Sequence, residues 1–182
     1  GLSVDQIFTI SVSNKEDAPQ VTSTAKTTAA EDTAFNYVFT ANDVDVGSVV
    51  TYSKIIGPSW LNFEASTGVL SGTPTNNDVG DHNITLRATD NTDLATDQSF
   101  VISVSNTNDA PSITSNGITS ASEDVAYSYT PTFNDPDVED SLTYAATTLP
   151  SWLNFETTNG KLTGTPTNQN VGSHAVSISA TD

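Results

Sequence analysis

Acidic side chains recur along the chain in short clusters whose spacing suits a divalent cation. The triplet at 43–45, Asp-Val-Asp, returns at 135–137 as Asp-Pro-Asp, and the triplet at 88–90, Ala-Thr-Asp, returns unchanged at 180–182. Calcium takes about six to eight oxygen ligands, mainly carboxylates, amides and backbone carbonyls. The clusters therefore favour a calcium site. The alternative is that these acids cap turns, because Asp and Asn favour turn positions without any ligand.

The charge balance restricts the classes of partner. The 182 residues carry 22 acidic and 5 basic side chains, for a formal net charge of −17. Nucleic acid and anionic membranes would be repelled by such a surface. A cation would compensate the charge, although acidity also serves solubility alone. No apolar run reaches the roughly 18 residues of a membrane span, so no membrane insertion is expected.

Residue types suited to catalysis are sparse. Cysteine is absent, which excludes disulfides and thiol chemistry. No nucleophile elbow is present, and the two histidines, His82 and His174, are repeat equivalents that we expect to face inward near a strand start. The acids cluster in loops rather than across a cleft. The sequence thus predicts that the chain is not an enzyme.

The elements that must position the acids are repeated with a period of 92 residues. Aligning 18–90 with 110–182 needs no gap and gives 37 identities in 73 positions. Side chains alternate between apolar and polar at Ile84–Ala88 and at Phe100–Val104, which is typical of strands, and turn signals separate the runs. The fold class predicted is all-β, with two tandem immunoglobulin-like or cadherin-like β-sandwiches.

The phase of the repeat predicts three segments. Residues 5–13, DQIFTISVS, match 97–105, DQSFVISVS. Residues 1–13 are therefore expected to be the last strand of a preceding repeat within a longer polypeptide. Repeat 1 then spans 14–107, and repeat 2 spans 108–182 without its own last strand. Donation of the first segment to this vacant position would give a strand-swapped dimer or filament.

The stretch 59–90, SWLNFEASTGVLSGTPTNNDVGDHNITLRATD, resembles the dystroglycan-type cadherin-like repeat, also described as an immunoglobulin-like domain of bacterial surface proteins. Both copies carry the W-L-x-F…G-x-L-x-G-T-P…A-T-D string. The resemblance implies tandem arrays, calcium at module junctions, adhesion between such repeats and, in some members, binding to polysaccharide.

Cadherin ligands come from the end of one module, the linker and the start of the next, and the resemblance transfers these roles by position. The ligand set at the junction of the two repeats is Glu31, Asn106, Asn108, Asp109, Asp135, Asp137 and Asp182. The set at the equivalent upstream position is Asn14, Glu16, Asp17, Asp43, Asp45 and Asp90. The D-x-E motif that cadherins carry in mid-module is missing, since the region reads GVLSGTP, so we expect only one or two ions per junction.

The two tryptophans, Trp60 and Trp152, allow a second interpretation of function. A tryptophan can stack on sugar rings, which would make the chain a carbohydrate-binding module associated with polysaccharide degradation. Large aromatics at fixed repeat positions more often pack within the fold. The leading hypothesis is a calcium-dependent module for adhesion and structural extension of a secreted or cell-surface bacterial protein, and a passive spacer is the third alternative.

Overall fold

The computed structural model describes residues 1–137 and 140–182. These form two compact units, Gly1–Thr107 (unit 1) and Asn108–Asp182 (unit 2). Both are built from short strands joined by turns, which confirms the predicted all-β sandwich class. Within the described ranges, no helix has the length and apolar character needed to cross a membrane.

Unit 1 contains nine strands and one 3-10 turn at Asn76–Asp78. The strands are β1 Gln20–Val21, β2 Thr28–Ala30, β3 Phe35–Val38, β4 Ala41–Asn42, β5 Thr51–Ile56, β6 Asn62–Glu64, β7 Val69–Gly72, β8 Gly80–Thr89 and β9 Ala95–Ser105. One sheet has the order β2-β9-β8-β5, the second has the order β3-β7-β6, and β1 pairs with β4. All pairs are antiparallel except β2 with β9, which run parallel.

The core of unit 1 lies between these sheets. The predicted alternation is confirmed: Ile84, Leu86 and Ala88 of β8 are buried, and so are Ile102 and Val104 of β9. Successive side chains of a strand point to opposite faces, so each second residue enters the core. The opposing sheet contributes Phe35, Tyr37, Phe39, Leu61 and Leu70.

Unit 2 repeats the architecture with fewer strands among its described residues. They are β10 Ser112–Ile113, β11 Tyr127–Tyr129, β12 Phe133–Asn134, β13 Thr143–Thr148, β14 Leu153–Phe155, β15 Leu162–Gly164 and β16 Ser177–Thr181, with a 3-10 turn at Asn168–Asn170. One sheet is β11-β15-β14, while β13 pairs with β16 and β10 with β12. Within the described residues of this unit, the strand that pairs with β16 is β13.

Residues 1–13 form no strand and are exposed throughout. Their side chains include apolar groups such as Phe8 and Ile10, at 72% and 75% exposure. The interpretation of this segment as the last strand of a preceding repeat stays a prediction.

Candidate metal centre

The loop 135–137 of unit 2 holds two carboxylates in a defined arrangement. The backbone N–H of Asp137 donates to Oδ1 of Asp135 at 3.0 Å, a local turn that fixes the first side chain. The backbone N–H of Asp109 donates to Oδ2 of Asp137 at 2.6 Å, which ties the loop to the linker. Carboxylate oxygens of Asp109 and Asp137 lie within 4.8 Å of each other.

Unit 1 builds the same arrangement independently. The backbone N–H of Asp45 donates to Oδ1 of Asp43 at 2.8 Å, and the backbone N–H of Asp17 donates to Oδ2 of Asp45 at 2.7 Å. The sequence between the two carboxylates differs, since Val44 is replaced by Pro136. Two copies thus form the same backbone-supported pair, which indicates that the loop geometry follows from the D-x-D spacing.

Glu31 follows β2 and is fully buried. Its Oε1 accepts a hydrogen bond from the backbone N–H of Thr107 at 2.6 Å, so it is anchored to the last residue of its own unit. Its Oε2 is buried without a hydrogen-bond partner among the described residues. The counterpart in unit 2, Glu123, is exposed.

Asp90 directly follows β8, and Asp182 directly follows the equivalent strand β16. Burial opposes ionisation of Asp90, but hydrogen bonds from the backbone N–H and hydroxyl of Thr92 and from the N–H of Leu94 outweigh it, and the pKa of Asp90 is lowered. Asp182 is exposed, and its Oδ2 accepts from Nδ2 of Asn108 at 2.8 Å. The sequence did not predict the role of Thr92, although Asp90-Asn91-Thr92 has the composition of an Asx turn.

The remaining predicted ligands are less constrained. Asn14 and Glu16 are exposed and bonded to each other, with Nδ2 of the amide 3.1 Å from Oε1 of the carboxylate. Asn106 is also exposed. Their assignment as ligands stays a prediction.

The donor set fits a hard divalent cation. Asp43 Oδ2 and Asp135 Oδ2 are buried and have no hydrogen-bond partner within the described part of the chain, as does Oε2 of Glu31. A buried carboxylate oxygen without a donor is costly, and a metal ion removes that cost. All these donors are oxygens, as calcium prefers.

Trp60 and Trp152 are half-buried and belong to repeated aromatic clusters. The Trp60 ring packs edge-on against Phe35 and His82, with ring centroids 5.9 Å from each. Trp152 packs in the same way against Tyr127 and His174. Both indole Nε1 atoms are buried. The two tryptophans therefore pack within the fold, which is one of the two roles considered for them from the sequence. The other role, stacking on sugar rings, stays a prediction.

Comparison with known proteins agrees with this architecture. The model of the family described as "Putative Ig domain" matches residues 18–105 and 110–182, and the chain belongs to this family. The dystroglycan-type subdivision is a finer assignment that this match does not make. The family defines a class of immunoglobulin-like modules that occur in tandem here.

The chain is similar in sequence to a staphylococcal adhesin and in structure to cadherins. The chain is 32% identical over 166 residues to the Serine-rich adhesin for platelets of Staphylococcus aureus strain USA300, covering 91% of this chain and 7% of the adhesin. It therefore spans a small fraction of those relatives. Among solved structures, mouse Cadherin-23 EC22-24 aligns over 91% of this chain and 59% of the other, with TM-score 0.56 and 25% identity. Human CDH23 EC21-23 aligns over 91% and 64%, with TM-score 0.57 and 19% identity, which shows the shared fold alone.

Proposed function

We propose that the chain is a calcium-binding tandem of immunoglobulin-like modules that gives adhesion and structural extension to a secreted or cell-surface protein. The observation that carries the proposal is the repeated carboxylate pair, Asp43 with Asp45 and Asp135 with Asp137. Each pair has one buried oxygen that lacks a hydrogen-bond donor among the described residues, namely Oδ2 of Asp43 and of Asp135. Similarity to a staphylococcal adhesin supports the adhesive role and the extracellular location, and it agrees with a non-catalytic chain.

The covalent chain supports a shared ion at the junction. Glu31 accepts a hydrogen bond from the backbone N–H of Thr107, and Asp109 follows Thr107 by two residues in the sequence. Two residues of extended chain span no more than about 7 Å, so a ligand from each side is available near the linker. Bound calcium would draw these acids together, stabilise both units and restrict the linker.

The direct test is calcium titration by calorimetry, with melting temperatures measured in calcium and in chelator. We expect binding and a higher melting temperature with calcium. Asp135→Asn should weaken binding at least tenfold, because it removes a charged ligand. Asp124→Asn is the matched control, since Asp124 is an exposed turn residue outside the proposed ligand set and loses the same charge.

Three outcomes would contradict the proposal: no heat of binding, a melting temperature that calcium does not change, or equal weakening by the two variants. The restriction of the linker has a separate readout. Small-angle scattering should give a narrower distribution of dimensions in calcium than in chelator for the wild type, and the same distribution in both for Asp135→Asn.

A further inference from the structure

Two asparagine–glycine dipeptides occur in the chain, and both belong to unit 2. They are Asn116–Gly117 and Asn159–Gly160. An asparagine before glycine is open to a reaction of its own side chain, because glycine has no Cβ that would hinder its backbone nitrogen. That nitrogen can attack Cγ of the asparagine and expel the side-chain nitrogen as ammonia. Since the two dipeptides are identical, a difference in their reactivity has to come from their structural surroundings.

Asn159–Gly160 is held in a closed turn between β14 and β15. The backbone N–H of Gly160 donates to the Glu156 carbonyl at 2.9 Å, and the N–H of Lys161 donates to Oδ1 of Asn159 at 2.9 Å. The N–H of Glu156 donates to the Lys161 carbonyl at 2.8 Å, which closes the turn. The nitrogen that would attack is therefore engaged as a donor, and the side-chain carbonyl that it would attack is bound to a different N–H.

Asn116–Gly117 lies in the irregular segment that follows β10, and both of its residues are exposed. Within the described residues, neither the Asn116 side chain nor the N–H of Gly117 is hydrogen-bonded. The φ angle of Gly117 lies outside the left-handed region, and a Cβ added there would meet no atom within 4 Å. The surroundings thus leave room for the Gly117 nitrogen to approach Cγ of Asn116.

The equivalent segment of unit 1 has the same backbone arrangement. Thr24 and Ala25 occupy the positions of the dipeptide, lie outside the strands, and have no backbone N–H hydrogen bond among the described residues. This holds even though the adjacent Ser23 carbonyl accepts from Nε2 of Gln98 in β9 at 2.9 Å. An unbonded backbone is therefore a property of this segment in both units, and unit 1 simply lacks the reactive side chain.

We propose that Asn116 is a site of spontaneous covalent modification in the folded chain, and that the turn at Asn159 protects the second dipeptide. The Gly117 nitrogen forms a bond to Cγ of Asn116 and gives up its proton, the Cγ–Nδ2 bond breaks, and Nδ2 leaves as ammonia. Water then opens the five-membered succinimide at one of its two carbonyls. The product is aspartate or isoaspartate, and either one adds a negative charge to the chain.

The size of the difference follows from the hydrogen bonds of the turn. Attack at Asn159 requires two of them to break, the one from Gly160 to Glu156 and the one from Lys161 to the side chain itself. Reaction at Asn159 should therefore be about tenfold slower than at Asn116, or slower still. Unfolding removes this protection, so the two sites should react at similar rates in urea.

Peptide mass spectrometry of the whole chain, incubated in mildly alkaline buffer, measures the rate at each site. We expect the mass increase of amide-to-carboxylate conversion at Asn116 first. Gly117→Ala is the matched variant, because a methyl group hinders the attacking nitrogen and the open space around Gly117 accommodates it. It should slow modification of Asn116 about tenfold, with an unchanged circular dichroism spectrum.

Thr67→Asn tests whether the turn alone gives protection. Thr67 and Gly68 stand in unit 1 where the protected dipeptide stands in unit 2, and Gly68 has φ +70. The N–H of Gly68 donates to the Glu64 carbonyl at 2.8 Å, as in the other turn. The introduced asparagine should therefore react as slowly as Asn159 in the folded chain and as fast as Asn116 in urea. Fast reaction in the folded chain would contradict protection by the turn.

The reverse exchange moves the reactive dipeptide into unit 1. Thr24→Asn/Ala25→Gly should react as fast as Asn116, because the segment has the same backbone arrangement. A slow reaction there would contradict the role assigned to the segment. Equal rates at Asn116 and Asn159 in the folded chain would overturn the proposed difference. If Asn116 stayed unmodified while the urea-unfolded chain reacted, the proposed site would be wrong.

Discussion

Units 1 and 2 share half of their aligned residues, yet the same positions meet different environments. Leu86 of unit 1 is fully buried, whereas Ile178 at the same position of unit 2 is partly exposed. Glu31 is buried, whereas Glu123 is exposed. In contrast, Leu70 and Leu162, which belong to the sheet away from β9, are both buried. Among the described residues, the difference is therefore largest at positions that β9 covers in unit 1, and smaller in the sheet of Leu70 and Leu162.

The comparison also shows which interactions form the acidic loops at 43–45 and 135–137. The carboxylate pairs at 43–45 and 135–137 have the same hydrogen bonds in both units, although β8 extends over 10 residues and its counterpart β16 over 5. These loops are therefore formed by local backbone geometry, since each of these hydrogen bonds joins residues two positions apart.

The largest difference between the units is expected when a core side chain of β8 in unit 1, or of β16 in unit 2, is truncated to alanine. Leu86→Ala should lower the free energy of unfolding of unit 1 by about 3 kcal/mol, because it removes a buried side chain and leaves a cavity. Ile178→Ala should cost unit 2 about 1–2 kcal/mol, since that side chain is already partly in water. Hydrogen exchange in urea, followed on peptides from each unit, measures both values.

Leu70→Ala and Leu162→Ala are matched controls, and they should destabilise their own units by similar amounts. If Ile178→Ala cost as much as Leu86→Ala, the partial exposure of Ile178 would be an incorrect description.

The sequence was sufficient for the strands that alternate clearly. The pattern at Ile84–Ala88 and Phe100–Val104 predicted two core strands, because a period of two is a direct consequence of strand geometry. The core of unit 2 was harder. Phe39 of unit 1 is replaced by Pro131, and Phe133 instead provides the ring beside Tyr144, with centroids 4.9 Å apart. Such compensation depends on packing that the repeat alignment alone does not reveal.

The sequence indicated side-chain ligands for the candidate site, but not the groups that orient them. The D-x-D spacing indicated Asp135 and Asp137 because carboxylates at that separation can share one ion. The donors that orient them are backbone N–H groups, such as that of Asp109, which every residue but proline carries. A sequence pattern cannot single these out. Their role follows from the chain path, which only the structure gives.

A smaller effect concerns the buried tyrosines. Tyr37→Phe should destabilise unit 1 by about 1–2 kcal/mol, because it removes the donor to Gln98 in a nearly closed environment. Tyr129→Phe should cost unit 2 about 0.5–1 kcal/mol. Within the described residues, the Tyr129 hydroxyl is hydrogen-bonded to Ser115 Oγ, whereas the Tyr37 hydroxyl is hydrogen-bonded to both Ser23 and Gln98. Unfolding in urea, followed by hydrogen exchange on peptides from each unit, distinguishes the two. Equal losses would contradict the assigned role of Gln98.

The smallest effect concerns the ion pair that joins β8 to β9. Arg87 donates through Nε and Nη2 to Asp97 at 2.7 and 2.9 Å, and unit 2 has Ser179 at the arginine position. The hydrogen bond from Arg87 lowers the pKa of Asp97, with its positive charge as a further cause. A carboxyl whose pKa is lower in the folded state stabilises that state above its unfolded pKa, and this contribution is lost as pH falls through the folded pKa.

Arg87→Ser makes unit 1 resemble unit 2 at this position. Its melting temperature should therefore fall slightly at neutral pH, and the difference from wild type should vanish in acid, where Asp97 is protonated in both proteins. The effect is small because water screens a pair whose side chains are 42% and 38% exposed. In the background Asp97→Ser, adding Arg87→Ser should leave no such pH-dependent difference. If the difference persisted there, the pH dependence would come from a group other than Asp97.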